Sequence, residues 1–182
     1  MKHTFTLLFA LTALFFTAAS CSNDDNKAPA TSPYAGNYQI EQMVADVPVD
    51  LDGDGYAQNN MVAEIHEFFD VQPDLQLEER ANGYKLLSFY LPHPNLIYPG
   101  EPYFYVAYTR SAFGMQYKYS ESEGLTIVKE DTPEYYQTWG DVQSLIATGN
   151  NRLTCVLVKE YYDYQVAALK SLTVTITYVK AN

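Results

Sequence analysis

The run Asp50-x-Asp52-x-Asp54-Gly55 puts three carboxylates at alternate positions with a glycine directly after the third. In a calcium loop, acids at positions one, three and five aim oxygens at one centre, the glycine permits the sharp turn, and the seventh residue adds a backbone carbonyl. Tyr56 stands at that seventh position. Gln58, at the ninth, ligates directly or through water. The twelfth position holds Met61 where a bidentate glutamate belongs, which excludes a complete EF-hand; Glu64, one helical turn later, substitutes for it only in a wider loop. The candidate metal set is Asp50, Asp52, Asp54, Tyr56, Gln58 and Glu64, with Ca²⁺ as the ion. A plain acidic turn kept soluble by its charges is the competing reading.

Aromatic side chains are the second candidate chemistry. Of 17 tyrosines, Tyr103, Tyr105 and Tyr117 cluster in one stretch, and Trp139 is the single tryptophan. A phenol combines a flat apolar body with a polar tip, which suits sugar rings and amphipathic molecules as well as sheet interiors. Tyr103, Tyr105, Tyr117 and Trp139 are the candidate ligand contacts, with Trp139 expected at a rim in a loop over residues 133–141.

Hydrolytic constellations are missing. Past residue 20 the only histidines are His66 and His93, and neither has a metal-ligand spacing or stands in a nucleophile motif. Flanked by Pro92 and Pro94, His93 reads as a rigid loop residue. Acid pairs such as Glu78-Glu79 read as solvated faces. The sequence is therefore expected to encode a protein that is not an enzyme.

These residues must be delivered to their compartment and then positioned. Lys2 and His3 precede an apolar run from Phe5 to Phe16, and the small residues Ala18-Ala19-Ser20 precede Cys21. This is the layout of a cleaved export signal, too short to span a bilayer comfortably. Residues 18–21 resemble the lipobox of bacterial lipoproteins, with Ala18 where a larger aliphatic is usual. Ala18-x-Ser20 also fits the ordinary signal peptidase. The polar, proline-bearing stretch from Ser22 to Pro33 decides for lipidation, because a leash directly after a cysteine suits a domain held at a membrane by its N-terminus. The domain organisation is thus residues 1–20 signal, 21–33 lipidated Cys21 and tether, and 34–182 a single domain. Acids just after Cys21 also resemble a surface-export signal of some Gram-negative lipoproteins, which points to the outer membrane and the cell surface.

The chain carries a formal charge of −11, and loss of Lys2 with the signal takes it to −12. Such a surface repels phosphate backbones and excludes nucleic acid as a partner. With Cys21 acylated, Cys155 is left as a free thiol inside an apolar strand, where it acts as a small hydrophobe.

Short alternating runs separated by turn residues predict an all-β fold. Expected strands run over 36–44, 74–80 and 84–91, with Asn82-Gly83 as a tight turn. Further strands are expected over 103–109, 113–119, 125–129, 143–147 and 152–160. A final strand of the chain is the clearest, with Leu172, Val174, Ile176 and Tyr178 alternating with threonines and Val179. One helix is expected over 60–69. About eight strands and one short helix after the first strand make an up-and-down antiparallel barrel, which leaves no open edge. The order of Gly36-Asn37-Tyr38, the Asp-rich loop, a short helix and a last strand ending Tyr178, Lys180 resembles lipocalin-like bacterial lipoproteins, in which the opening motif is usually Gly-x-Trp. That resemblance implies a lipocalin-like barrel over most of residues 34–180.

The expected function is a lipid-anchored, non-catalytic envelope protein binding a small amphipathic or carbohydrate-like ligand. The alternative is a structural or protein-interaction component of the outer membrane. Replacing Cys21 by serine is expected to move the protein from membrane to soluble fractions. Wild-type protein found soluble with an N-terminus at Ser22, or at unmodified Cys21, refutes the anchor.

Overall fold

Alternation of apolar and polar side chains decides the architecture. In the strand Arg152–Asp163, Leu153, Cys155 and Leu157 are fully buried, and opposite them on Ala168–Lys180 stand Tyr178, Ile176 and Val174, also fully buried. A period of two sends one face of each strand inward. Full burial of each leucine, isoleucine or valine side chain stabilises by about 1.5–3 kcal/mol.

The computed structural model describes residues 32–65, 68–69, 73–80, 83–100, 103–129, 133–149 and 151–181, with backbone alone for Pro99, Gly100, Tyr103, Pro133 and Gln137. The expected signal, Cys21 and His66 lie outside these residues. The elements are β1 (Gly36–Val49), β2 (Gln58–Asn60), α1 (Met61–Glu64), β3 (Leu75–Glu79), β4 (Lys85–Gly100), β5 (Tyr103–Ser120), β6 (Gly124–Val128), α2 (Pro133–Trp139), β7 (Asp141–Gly149), β8 (Arg152–Asp163) and β9 (Ala168–Lys180). All neighbours are antiparallel in the order β6-β5-β4-β3-β1-β9-β8-β7, with β2 added to β1. The end strands β6 and β7 lie against each other without a ladder, so the eight-stranded barrel is nearly closed.

Four local expectations are corrected. The hairpin expected between 103–109 and 113–119 is one continuous strand, β5, because Arg110-Ser111-Ala112 has neither glycine nor proline and pairs in unbroken register with Pro92, Leu91 and Tyr90. His93 lies inside β4 rather than in a loop. There Pro92 and Pro94 share the parity of Tyr90, whose N–H points away from β5 to the Asp74 carbonyl at 2.9 Å. β3 pairs β4 only as far as Phe89, so both prolines place their missing donors on an edge with no strand ladder to complete. The expected helix over 60–69 is a single turn, Met61–Glu64, closed by Ile65 N–H on the Met61 carbonyl at 3.1 Å. Finally, the stretch expected as a loop before Asp141 forms α2.

The barrel begins at a tight crossing. Gly36 has φ +138°, and a side chain there would bring its Cβ 2.8 Å from Lys180 Cε. Lys180 instead lies across the backbone, with its ammonium 6.0 Å from the Tyr38 ring centre and 3.3 Å from the Pro33 carbonyl. Tyr38 is fully buried, donates to the Tyr34 carbonyl at 2.8 Å, and has its pKa pushed up to about 12 by that burial. Ser32, two residues inside the expected tether, is itself buried and donates its N–H to Glu79 Oε1 at 2.8 Å. Cys155 is buried and unpaired as expected, and burial raises its thiol pKa well beyond the range where thiolate chemistry begins.

Asp74, just ahead of β3, is 1% exposed and joins three strands. Its N–H donates to the Tyr38 carbonyl, its carbonyl takes Tyr90 N–H, and its carboxylate accepts Ile40 N–H at 2.7 Å and Arg110 Nη1 at 3.1 Å. Burial pushes its pKa up, while the Ile40 and Arg110 bonds hold it down in part. Asp74→Ala removes the buried carboxylate that Arg110 and the Ile40 N–H share. Urea unfolding is expected to show a loss of about 3 kcal/mol, the lower end for breaking a buried pair; a loss below 1 kcal/mol would show that water replaces these contacts.

Candidate functional site

The chain leaves β1 at Val49 and enters the acidic loop, whose first residue is anchored from the far end of the sequence. The Asp50 carbonyl accepts Tyr164 N–H at 2.8 Å, and its N–H meets Asp163 Oδ1 at 3.4 Å. Its carboxylate then folds the loop back over itself: Oδ1 accepts Gly53 N–H at 2.8 Å and Oδ2 accepts Gly55 N–H at 3.0 Å. Asp52 Oδ1 takes Asp54 N–H at 3.0 Å, and Asp54 Oδ1 takes Tyr56 N–H at 2.7 Å. These short-range bonds are what Asp side chains make in turns. Across the loop, Glu64 Oε2 accepts the N–H of fully buried Leu51 at 2.9 Å, and the Tyr108 hydroxyl donates to the Leu51 carbonyl at 3.2 Å.

This folding collects acid oxygens. Asp50, Asp52 and Glu64 each offer one carboxylate oxygen, all within 4.8 Å of one another, with Asp50 and Glu64 buried and Asp52 exposed. A carboxylate oxygen that accepts one N–H keeps a second lone pair, so the loop bonds leave acceptor capacity for a cation. The group is able to hold a metal ion. Tyr108 registers the local negative charge, its pKa raised first by burial and then by Tyr164, Glu64, Asp52 and Asp50.

Of the six residues expected around a metal, the structure thus brings together Asp50, Asp52 and Glu64. Asp54 is not in that group and turns its carboxylate to the backbone of Tyr56. Tyr56, expected to offer its carbonyl, is 77% exposed, and Gln58 stands in β2 opposite Val49. Sequence reasoning missed Asp163 and Tyr108, which fix the loop from β8 and β5. Their signal is an acid closing an apolar strand and a tyrosine among alternating residues, and neither points to a partner more than fifty positions away.

The four aromatic candidates are dispersed. Tyr105 is half exposed on β5, Tyr117 is buried inside the barrel, and Trp139 is half-buried at the end of α2 with its ring centre 5.2 Å from that of His93. The side chain of Tyr103 lies outside the described residues. A separate aromatic group closes the β4–β5 tip onto β8: Phe104 packs on Tyr98, Tyr162 and Tyr164, and the Tyr164 hydroxyl accepts Val106 N–H at 2.8 Å.

At the opposite end of β5 a groove of about 430 Å³ opens where β4, β5 and β6 meet. Gln116, Lys118 and Ser120 share one parity of β5 and stand opposite Val128, Thr126 and Gly124 of β6. Tyr84, Tyr119 and Glu123 complete the walls, and buried Tyr117 borders the groove together with Lys85. Phenol rings, an amide, hydroxyls, ammonium groups and a carboxylate therefore surround one concavity.

No family model, curated protein or solved structure matches this chain.

Proposed function

We propose that this protein is a lipid-anchored, non-catalytic binding protein of the cell envelope, held at the outer membrane through Cys21, that takes a carbohydrate-like ligand in the groove between β4, β5 and β6. The observation that carries the reading is the groove's lining. A sugar ring has an apolar face of C–H bonds and a rim of hydroxyls, and tyrosine offers the matching flat face and polar tip. Gln116, Lys118, Ser120, Glu123 and Thr126 supply donors and acceptors around the same space. Concave sites with an apolar wall and a few convergent polar groups are where small ligands bind.

The acidic loop serves this protein as a structural calcium site. Two ligands on opposite sides of Ca²⁺ stand about 5 Å apart, whereas around Mg²⁺ they stand about 4 Å apart. The Asp50, Asp52 and Glu64 oxygens, all within 4.8 Å of one another, fit inside the span of a Ca²⁺ shell. Asp50 follows β1 directly, and Glu64 closes α1, so a bound cation ties the β1–β2 turn to the helix after it.

On an array of neutral and acidic oligosaccharides, the mature protein is expected to be retained by at least one class. Tyr84→Ala and Lys118→Ala should each weaken that binding about tenfold or more, equivalent to about 1.4 kcal/mol. No retention, or retention unaffected by both substitutions, removes the groove as a ligand site and leaves the reading of a structural or interaction protein.

For the loop, Ca²⁺ is expected to raise the thermal midpoint and Mg²⁺ to raise it much less. The stabilisation is about 0.4 to 1.4 kcal/mol at free Ca²⁺ between one and ten times Kd. Asp52→Ala, at an exposed ligand, should erase the difference while the protein stays folded. Equal midpoints with Ca²⁺, Mg²⁺ and chelator would reduce the loop to a turn.

A further inference from the structure

We propose that the inner wall of the barrel binds the carboxylate of a small amphipathic acid, at a site built from Lys159, His93 and the C-terminal end of α2, independent of the β4–β5–β6 groove. Lys159 interrupts the inward face of β8, in the series Leu153, Cys155, Leu157, Lys159, Tyr161, and is only 3% exposed. Lysine is almost never so buried unless paired with an acid.

Here the groups within hydrogen-bond reach are neutral. Nζ donates to the Thr138 carbonyl at 3.0 Å, lies 3.4 Å from His93 Nδ1, and stands 5.8 Å from the Tyr161 ring centre. Among the described residues no carboxylate oxygen comes within ion-pair distance of Nζ. The titratable groups bearing on it are His93 from β4 and Tyr161 and Glu160 from its own strand, and Glu160 is exposed. From α2 come Thr138, Trp139 and the phenol of Tyr136.

The Thr138 carbonyl belongs to the last turn of α2, so Lys159 meets the negative end of that short helix. A carbonyl does not neutralise a unit charge. Burial lowers the Lys159 pKa to about 8, which leaves the ammonium mostly protonated at neutral pH. Burial and the Lys159 charge lower that of His93, so the imidazole stays neutral and accepts at Nδ1. Tyr161, fully buried, has a hydroxyl with no hydrogen-bond partner among the described residues. Among the described residues Lys159 thus meets no ion-pair partner, and a single negative charge matches it. That selects a monocarboxylate over a divalent phosphate.

Beside Lys159 stand His93 and Trp139, both half-buried, with ring planes at 39°. Gly140 seats this end of α2 directly on the lysine stem. Its φ is +123°, and a Cβ there would lie 3.2 Å from Leu157 Cδ1 and 3.7 Å from Lys159 Cβ. Trp139 and Tyr136, both packed against the core, give the acid's apolar tail its contact surface.

Trp139 is the only tryptophan in the chain, so intrinsic fluorescence reads this site directly. Submicellar decanoate and its neutral counterpart decanol are titrated into the mature protein at pH 7. Decanoate should change Trp139 emission saturably and bind at least ten times more tightly than decanol. Its advantage should shrink about tenfold between pH 8 and pH 9.5 as Lys159 loses its proton. Lys159→Met should abolish the preference, and Lys159→Arg should carry it unchanged through pH 9.5, because guanidinium does not titrate there. If either variant fails to fold, the pH dependence of the wild type decides. Equal binding of the two probes, a preference surviving in Lys159→Met, or no emission change with either probe overturns the proposal and leaves Lys159 as a helix cap. None of these outcomes bears on the oligosaccharide array.

Discussion

The barrel wall past the end of β3 depends on one buried carboxylate. β3 is only five residues long, and the long β4–β5 hairpin continues well beyond it. Among the described residues no strand ladder joins the hairpin to β1 over that stretch, and Asp74 makes the connection instead, through its backbone to Tyr38 and Tyr90 and its side chain to Ile40 and Arg110. Arg110 in turn stacks over Tyr90, 4.8 Å from its ring centre, and over Phe68 at 5.4 Å. A buried ion pair of this kind contributes less by attraction than it costs when halved. Its physical role is to specify where the hairpin sits, and that placement brings Tyr108 over the acidic loop and His93 towards Lys159.

The fold was legible where burial follows a simple period. β9 shows its inward face in four alternating apolar residues, and β8 does so through Cys155, so the all-β class and the antiparallel barrel could be read from pattern alone. Legibility stopped where the pattern is shared by two structures. β5 carries a mixed stretch at Arg110 that reads as a turn until its partner strand is known, and the proline pair of β4 reads as a loop until it is clear that the adjacent edge has no partner. In α2, Pro133-Glu134 at the start and Gly140 just after the end are ordinary helix punctuation around a segment too short to display a period.

The candidate sites divide in the same way. The triple-aspartate spacing located the acidic loop, because turn chemistry is local, and Glu64 joins it through α1. Asp54 departs because a loop closed by Asp50 on Gly53 and Gly55 directs successive side chains differently from a twelve-residue calcium loop. The environment of Lys159 was invisible, since His93 and Thr138 reach it from 66 and 21 residues away. Only the break in the apolar alternation of β8 marked the position. It marks a charge, not a neighbour.

Ser32 fixes where the chain enters the barrel, and that entry shares an edge with the groove. Its N–H is held by Glu79, which also pairs with Lys85, and Tyr34 lies edge-on to Tyr119 with ring centres 5.9 Å apart. Lys85 and Tyr119 both border the groove. Glu79 thereby ties the point of entry to the wall of the groove. The acidic loop sits at the other end of β1, a strand about 45 Å long. The groove and the acidic loop are therefore held at opposite ends of one strand, and the lipid anchor proposed at Cys21 would keep the groove on its own side of the barrel and turn the loop away from it.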